Sequence, residues 1–167
     1  MITQSDYYRV NVSEPRRGNV FPVRYITPLR IEAHLGGYRF TLTQDFSVTF
    51  CFDERTNRII DPREWETLDY REVTLTARQG FDTDLISSPR ALWSFIPPIG
   101  KGIHGSVIHD LLYRFDIKIG DYYLTQLDAD LLFLYCLRLT GAGRIKRNLM
   151  YWALRFAGYH AWKTNRH

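Results

Sequence analysis

The apolar residues of this chain change period once, near Gly80, and that change limits the folds open to it. Upstream, they come as alternating or short continuous bursts over residues 20–26, 29–35, 38–52, 58–60 and 73–78. The bursts are rich in β-branched and aromatic residues. Turn formers separate them: Thr27-Pro28, Gly36-Gly37, the stretch from Asp53 to Asn57, and Asp61-Pro62. They predict strands of an antiparallel sheet, with Gly36-Gly37 as the strongest hairpin signal. Downstream, a connector holding Ser87, Ser88, Pro89, Pro97 and Pro98 leads into a 3.6-residue apolar period. That period predicts helices over 103–115, 122–139 and 145–162, separated by Gly120 and by Gly141-Ala142-Gly143. Strands first and helices second give an α+β class, an N-terminal antiparallel β-sheet followed by a three-helix C-terminal layer.

The chain has 167 residues, 45% of them hydrophobic, including ten Phe, four Trp and eleven Tyr, enough for one well-packed core. A single domain is expected over 20–167, with a β-rich part at 20–78, a connector at 79–102 and a helical part at 103–167. Before it, Ser13, Pro15, Gly18 and Asn19 lie among charged residues with no clear period, so residues 1–19 read as an extended arm. Cys51 and Cys136 are far apart, with no Cys or His at metal-ligand spacing, which excludes zinc fingers and disulfide-dense scaffolds. Residues 1–8 lack the basic flank and apolar run of a signal peptide, and no stretch approaches the apolar length of a membrane span. Synthesis and folding in a cytoplasm is the expectation.

Charge is distributed unevenly. Residues 1–90 carry 12 Lys/Arg against 13 Asp/Glu, and residues 91–167 carry 10 against 5. The excess narrows to Arg144, Lys146, Arg147, Arg155, Lys163 and Arg166, in a stretch from 141 to 167 without one acidic residue. Such a patch suits an anionic neighbour such as phospholipid head groups or an acidic partner protein; it also suits a plain solvated helix face. The third predicted helix adds a broad aromatic surface, fit either for a lipid interface or for core packing. No helix-turn-helix, zinc or single-strand-binding signature accompanies the charge, which argues against specific nucleic-acid binding.

Chemistry concentrates in His109-Asp110-Leu111-Leu112-Tyr113, where an imidazole and a carboxylate are consecutive and His109 shares a helix face with Tyr113. Asp130 lies in an apolar run of the next helix and needs a partner if buried. Antiparallel packing of the two helices would bring Asp130 against His109 and Tyr113, as a catalytic cluster or as a polar latch between helices. Asp110 also stands i, i+4 from Arg114, the spacing of an intrahelical ion pair. Asp84, Ser87 and Arg90 follow the last strand, and they either line a pocket wall or lock a turn.

Four motifs in order, Thr83-Asp84-Leu85-Ile86-Ser87-Ser88-Pro89-Arg90, Pro97-Pro98-Ile99-Gly100, His109-Asp110-Leu111-Leu112-Tyr113 and Ala129-Asp130-Leu131-Leu132-Phe133, resemble an uncharacterised family encoded by tailed bacteriophages and prophages. The resemblance spans about residues 76–160 and implies a viral protein, made in the host cytoplasm, with virion incorporation and virion partners among the possibilities. More distantly, the His-Asp-x-x-Tyr element followed by an Asp on the next helix is similar to the catalytic helices of prokaryotic and secreted phospholipase A enzymes. That similarity implies an ester hydrolase with His109 as general base, Asp130 orienting it and Tyr113 bonded to Asp130. It further implies Ca²⁺ held by Asp110 and backbone carbonyls of residues 98–102. The competing expectation is a non-catalytic tail or accessory protein in which the same side chains are structural.

Overall fold

A computed structural model describes residues 6–35, 39–61, 67–84 and 100–164. Its strands are β1 (Tyr8–Val12), β2 (Arg16–Asn19), β3 (Arg24–Tyr25), β4 (Ile31–Ala33), β5 (Phe40–Leu42), β6 (Phe46–Asp53), β7 (Arg58–Ile59), β8 (Thr67–Ala77) and β9 (Asp82–Thr83). Then come α1 (Ile103–Arg114), β10 (Lys118–Ile119), β11 (Tyr122–Tyr123), α2 (Gln126–Leu139) and α3 (Arg144–Thr164). This is the expected α+β order of an antiparallel sheet followed by three helices.

The spine of the main sheet is β8. Along one edge it pairs with β6, from Phe46 opposite Ala77 to Phe52 opposite Arg71. Along the other edge it takes β1 beside residues 73–77 and β2 beside residues 67–70. The expected N-terminal arm is thus extended but hydrogen-bonded onto the sheet. Neither strand is fully buried at any residue, as is usual at a sheet edge; β1 alternates, with Tyr8 and Val10 half-buried against the core and Arg9 and Asn11 exposed, and β2 is polar throughout. The 38–52 burst divides at a bend, and β5 joins β4 and β9 in a separate three-stranded sheet. The Gly36-Gly37 turn lies outside the described residues, while β4 and β5 on either side of it pair antiparallel, Ala33 opposite Phe40.

Alternation decides which face of the sheet meets the helices. Phe46, Val48, Phe50 and Phe52 share one face of β6, continued on β8 by Val73, Leu75 and Ala77. These pack with Val107, Ile108, Leu111 and Leu112 of α1 and with Ala129, Leu132 and Cys136 of α2 in one core. Burying each large side chain contributes about 1.5–3 kcal/mol. On the opposite face, the Ser47 and Thr49 hydroxyls meet those of Thr76 and Thr74 across the ladder at 2.8 and 2.7 Å, which satisfies polar atoms that burial would otherwise penalise.

The helices lie within two residues of their expected bounds, apart from the start of α2. Residues 118–123 form the β10–β11 hairpin, so α2 begins at Gln126. Thr125 caps it in a reciprocal box with Asp128: the Asp128 N–H donates to Thr125 Oγ1 at 3.3 Å, and the Thr125 N–H donates to Asp128 Oδ2 at 2.8 Å. The Tyr122 hydroxyl donates to the same carboxylate at 2.9 Å. At its other end α2 stops on Gly141, whose φ of +70° is left-handed. The Ala142 N–H returns to the Leu137 carbonyl and the Gly141 N–H to that of Arg138, each at 3.0 Å, a Schellman turn that sends α3 back along α2.

Thr125→Ala removes one half of the box and is expected to cost about 1 kcal/mol. At this chain length that is a fall in Tm of about 2–4 °C. Thermal unfolding followed by circular dichroism measures it, and an unchanged Tm would show that the cap is not what starts α2.

Candidate functional site

The side chain of Asp130 on α2 has no exposure to solvent. Its partners come from the two neighbouring helices. From α1, His109 Nε2 lies 2.8 Å from Asp130 Oδ1, and the Tyr113 hydroxyl donates to the same oxygen at 2.9 Å. From α3, Arg155 Nη1 donates to Oδ2 at 2.9 Å. A carboxylate can be buried at tolerable cost only when its lone pairs are filled in this way. His109 and Tyr113, one helical turn apart, also bring their rings to a centroid separation of 4.1 Å. Only nine per cent of the His109 side chain is exposed, so the imidazole is buried along with its partner. Burial, then the Asp130 charge, holds the Tyr113 phenol well above its usual range, so it stays a hydrogen-bond donor across the working pH scale.

His109, Tyr113 and Asp130 therefore meet as the spacing implied. Arg155 was expected among the surface cations and instead turns inward to Asp130. A signal for this was present in the sequence. An antiparallel helix pair matches residues equally far from its turn; Asp130 and Arg155 stand twelve and thirteen residues from Ala142, much as Asp130 and His109 stand ten and eleven from Gly120. The close approach of α3 depends on Gly158, where a Cβ would lie well inside van der Waals contact distance of the Tyr113 hydroxyl oxygen.

Asp110, next along α1, faces a different neighbour. The Thr83 hydroxyl at β9 donates to its Oδ2, and Asp84 stands beside it. Burial, then the Asp84 charge, pushes Asp110 up to about 8. Arg114 does not take Asp110 as its ion-pair partner: it donates to the Asp82 carbonyl at 2.5 Å and lies 3.8 Å from the Asp84 carboxylate. Asp84 thus belongs with Asp110; Ser87, Arg90 and Arg166 lie outside the described residues. Of the remaining cations, Arg144 and Lys146 are exposed, Arg147 is half-buried, and Lys163 Nζ lies 4.6 Å from the centre of the Tyr159 ring.

The calcium expectation joins Asp110 to carbonyls of residues 98–102. Among the described ones, Gly100 accepts from the Ile103 N–H at 3.1 Å, Lys101 from Thr140 Oγ1 at 2.6 Å, and Gly102 from the Ser106 N–H at 2.9 Å. Each already serves a helix turn or the α2 terminus, and among the described residues no three His, Cys, Asp or Glu side chains gather as a metal site. Residues 98 and 99, the rest of the expected carbonyl set, lie outside the described residues. Cys51 and Cys136 are buried free thiols, pushed by burial to about 11 and about 12, so neither is a nucleophile near neutral pH.

Two outcomes follow from this geometry. Gly158→Ala is expected to destabilise by about 1–3 kcal/mol despite the better helix propensity of alanine, because the new methyl displaces the Tyr113 hydroxyl. The penalty should shrink in a Tyr113→Phe background, and a double-mutant cycle in urea that shows plain additivity would refute the contact. Asp110 holds a proton in the folded chain that its unfolded counterpart gives up near 3.8, so its contribution to stability is greatest below that value and is lost as pH rises toward about 8. Asp110→Asn should accordingly match the parent near pH 4 and exceed it at pH 8 and above, with about 2–4 °C in Tm for each kcal/mol. A Tm difference that stays flat from pH 4 to 8 would count against the protonated Asp110.

No curated protein and no solved structure matches the chain. A family model described as "Protein of unknown function (DUF1353)" matches residues 61–154. The matched stretch contains β8, β9, α1, α2 and the first half of α3. It holds His109, Asp110, Tyr113 and Asp130, and Arg155 falls one residue beyond it. With more than half of its residues inside that match, the chain belongs to the DUF1353 family.

Proposed function

We propose that this chain is a bacteriophage-encoded ester hydrolase of phospholipase-like chemistry, with a lipid ester of the bacterial envelope as its substrate and His109 as its general base. One observation carries the reading: His109 Nε2 is held at 2.8 Å by a carboxylate wholly removed from solvent. Accepting the Nε2 proton, Asp130 fixes the tautomer whose lone pair is on Nδ1. Nδ1 then takes a proton from water as the water oxygen attacks the ester carbonyl. The tetrahedral adduct collapses with cleavage of the C–O bond, and the imidazolium returns the proton to the departing alkoxide. Tyr113 and Arg155 act through Asp130 as positioning residues. The bacteriophage assignment rests on the four ordered motifs.

A second reading draws on Arg155. A carboxylate that ties α1 and α3 to α2 is also what a latch needs in a non-catalytic virion or accessory protein.

Hydrolysis of a panel of phospholipids and simple carboxylic esters by the parent chain and by His109→Ala separates the two, with calcium and with chelator as parallel arms. The hydrolase reading expects turnover that falls by about a hundred- to ten-thousand-fold in His109→Ala at unchanged secondary structure. Turnover that survives the substitution overturns the assigned base. A folded chain inert on every ester, with a lower Tm in His109→Ala, establishes the latch.

A further inference from the structure

The outward face of α3 is absorbed neither by the core nor by the Asp130 cluster. Ile145, Leu149, Trp152, Phe156 and Tyr159 recur at spacings of four and three residues, and each has between 50% and 79% of its surface exposed. At about 100° per residue they fall within one narrow arc of the helix. The residues that α3 turns inward, Met150, Leu154 and Gly158, lie on the opposite side against Phe133, Leu137 and Tyr113. At about 1.5 Å per residue, the stripe from Ile145 to Tyr159 is about 21 Å long. Trp152 and Phe156 stack within it at 5.9 Å.

The charges beside the stripe identify what covers it. Arg144 and Lys146 flank it at one end and Lys163 at the other, all exposed, and no acidic residue occurs between 141 and 167. A second copy of the helix laid on this face would set cations against cations with no carboxylate in either helix to receive them. An anionic bilayer meets both features at once: acyl chains accept the Ile, Leu and Phe side chains, the Trp and Tyr rings sit at head-group depth, and phosphates take the cations. No described helix is long and apolar enough to cross a membrane, so the helix lies in the interface plane. We infer that α3 is an interfacial helix that docks the protein flat on an anionic phospholipid bilayer through the Ile145–Leu149–Trp152–Phe156–Tyr159 stripe. Docked this way, the bilayer touches the face of α3 opposite Gly158, and the Asp130 cluster stands one helix diameter, about 10–12 Å, behind it. The inference does not require His109 to be catalytic.

Flotation of the full chain with phosphatidylcholine vesicles, alone or doped with phosphatidylglycerol, tests this, using His109→Ala so that hydrolysis does not alter the vesicles. Binding is expected to the doped vesicles, weakening by about tenfold or more in the Trp152→Ser/Phe156→Ser double variant. Arg144→Glu/Lys146→Glu should abolish the preference for the anionic vesicles and make binding insensitive to salt. Both pairs are exposed, and a thermal melt of each variant checks that the fold is kept. Three results would overturn the inference: no flotation with doped vesicles, flotation untouched by the double variant, or a dimer in solution that the double variant dissolves.

Discussion

The helical half of the protein closes around one carboxylate. Without its three partners, Asp130 would be a bare charge in an apolar interior, and the cost of that state is several kcal/mol. The two side chains from α1 and the one from α3 remove the cost only when both helices are seated. Apolar packing alone would leave the three helices free to slide, since Leu and Phe contacts are directionless. Hydrogen bonds at 2.8–2.9 Å fix rotation and translation together. The sheet supplies the floor for this arrangement through β6 and β8, whose aromatic and β-branched face sets the depth at which α1 rests.

Much of this was legible in the sequence because it depends on period. The switch near Gly80 separated sheet from helices, and the same helical period put His109 and Tyr113 on one face opposite an Asp in an apolar run. What escaped was too short or too polar to read. Strand β1 does alternate, Tyr8 and Val10 half-buried against the core and Arg9 and Asn11 exposed, but over five residues only, and β2 is Arg-Arg-Gly-Asn with no apolar side chain. The start of α2 was misplaced because Tyr122, apolar in outline, gives its hydroxyl to Asp128 and belongs to a hairpin. Arg155 was hidden by its setting: in a run of basic residues a half-buried cation looks like its solvated neighbours, and the mirror symmetry about Ala142 was the clue that set it apart.

His109 and Asp110 show how adjacent residues on one helix reach unrelated environments. A rotation of about 100° between them directs the imidazole toward α2 and the carboxylate toward β9. The first enters a network of complementary charge, the second meets another carboxylate. Asp110 is raised by burial and then by the Asp84 charge, neither of which involves the residues around Asp130. A motif that reads as one unit in the sequence is thus two sites sharing a backbone.

The Schellman turn at Gly141 acts as a gauge block. Asp130 and Arg155 are each three turns of helix or more from it, so its length decides whether they meet. One residue inserted there would rotate α3 by about 100° and advance it by about 1.5 Å relative to α2, carrying the guanidinium off the carboxylate while leaving every helix intact. Related chains that keep this ion pair must then keep the spacing from Thr140 to Arg144, whatever their composition. Length variation across homologues that preserve the pair belongs outside this turn.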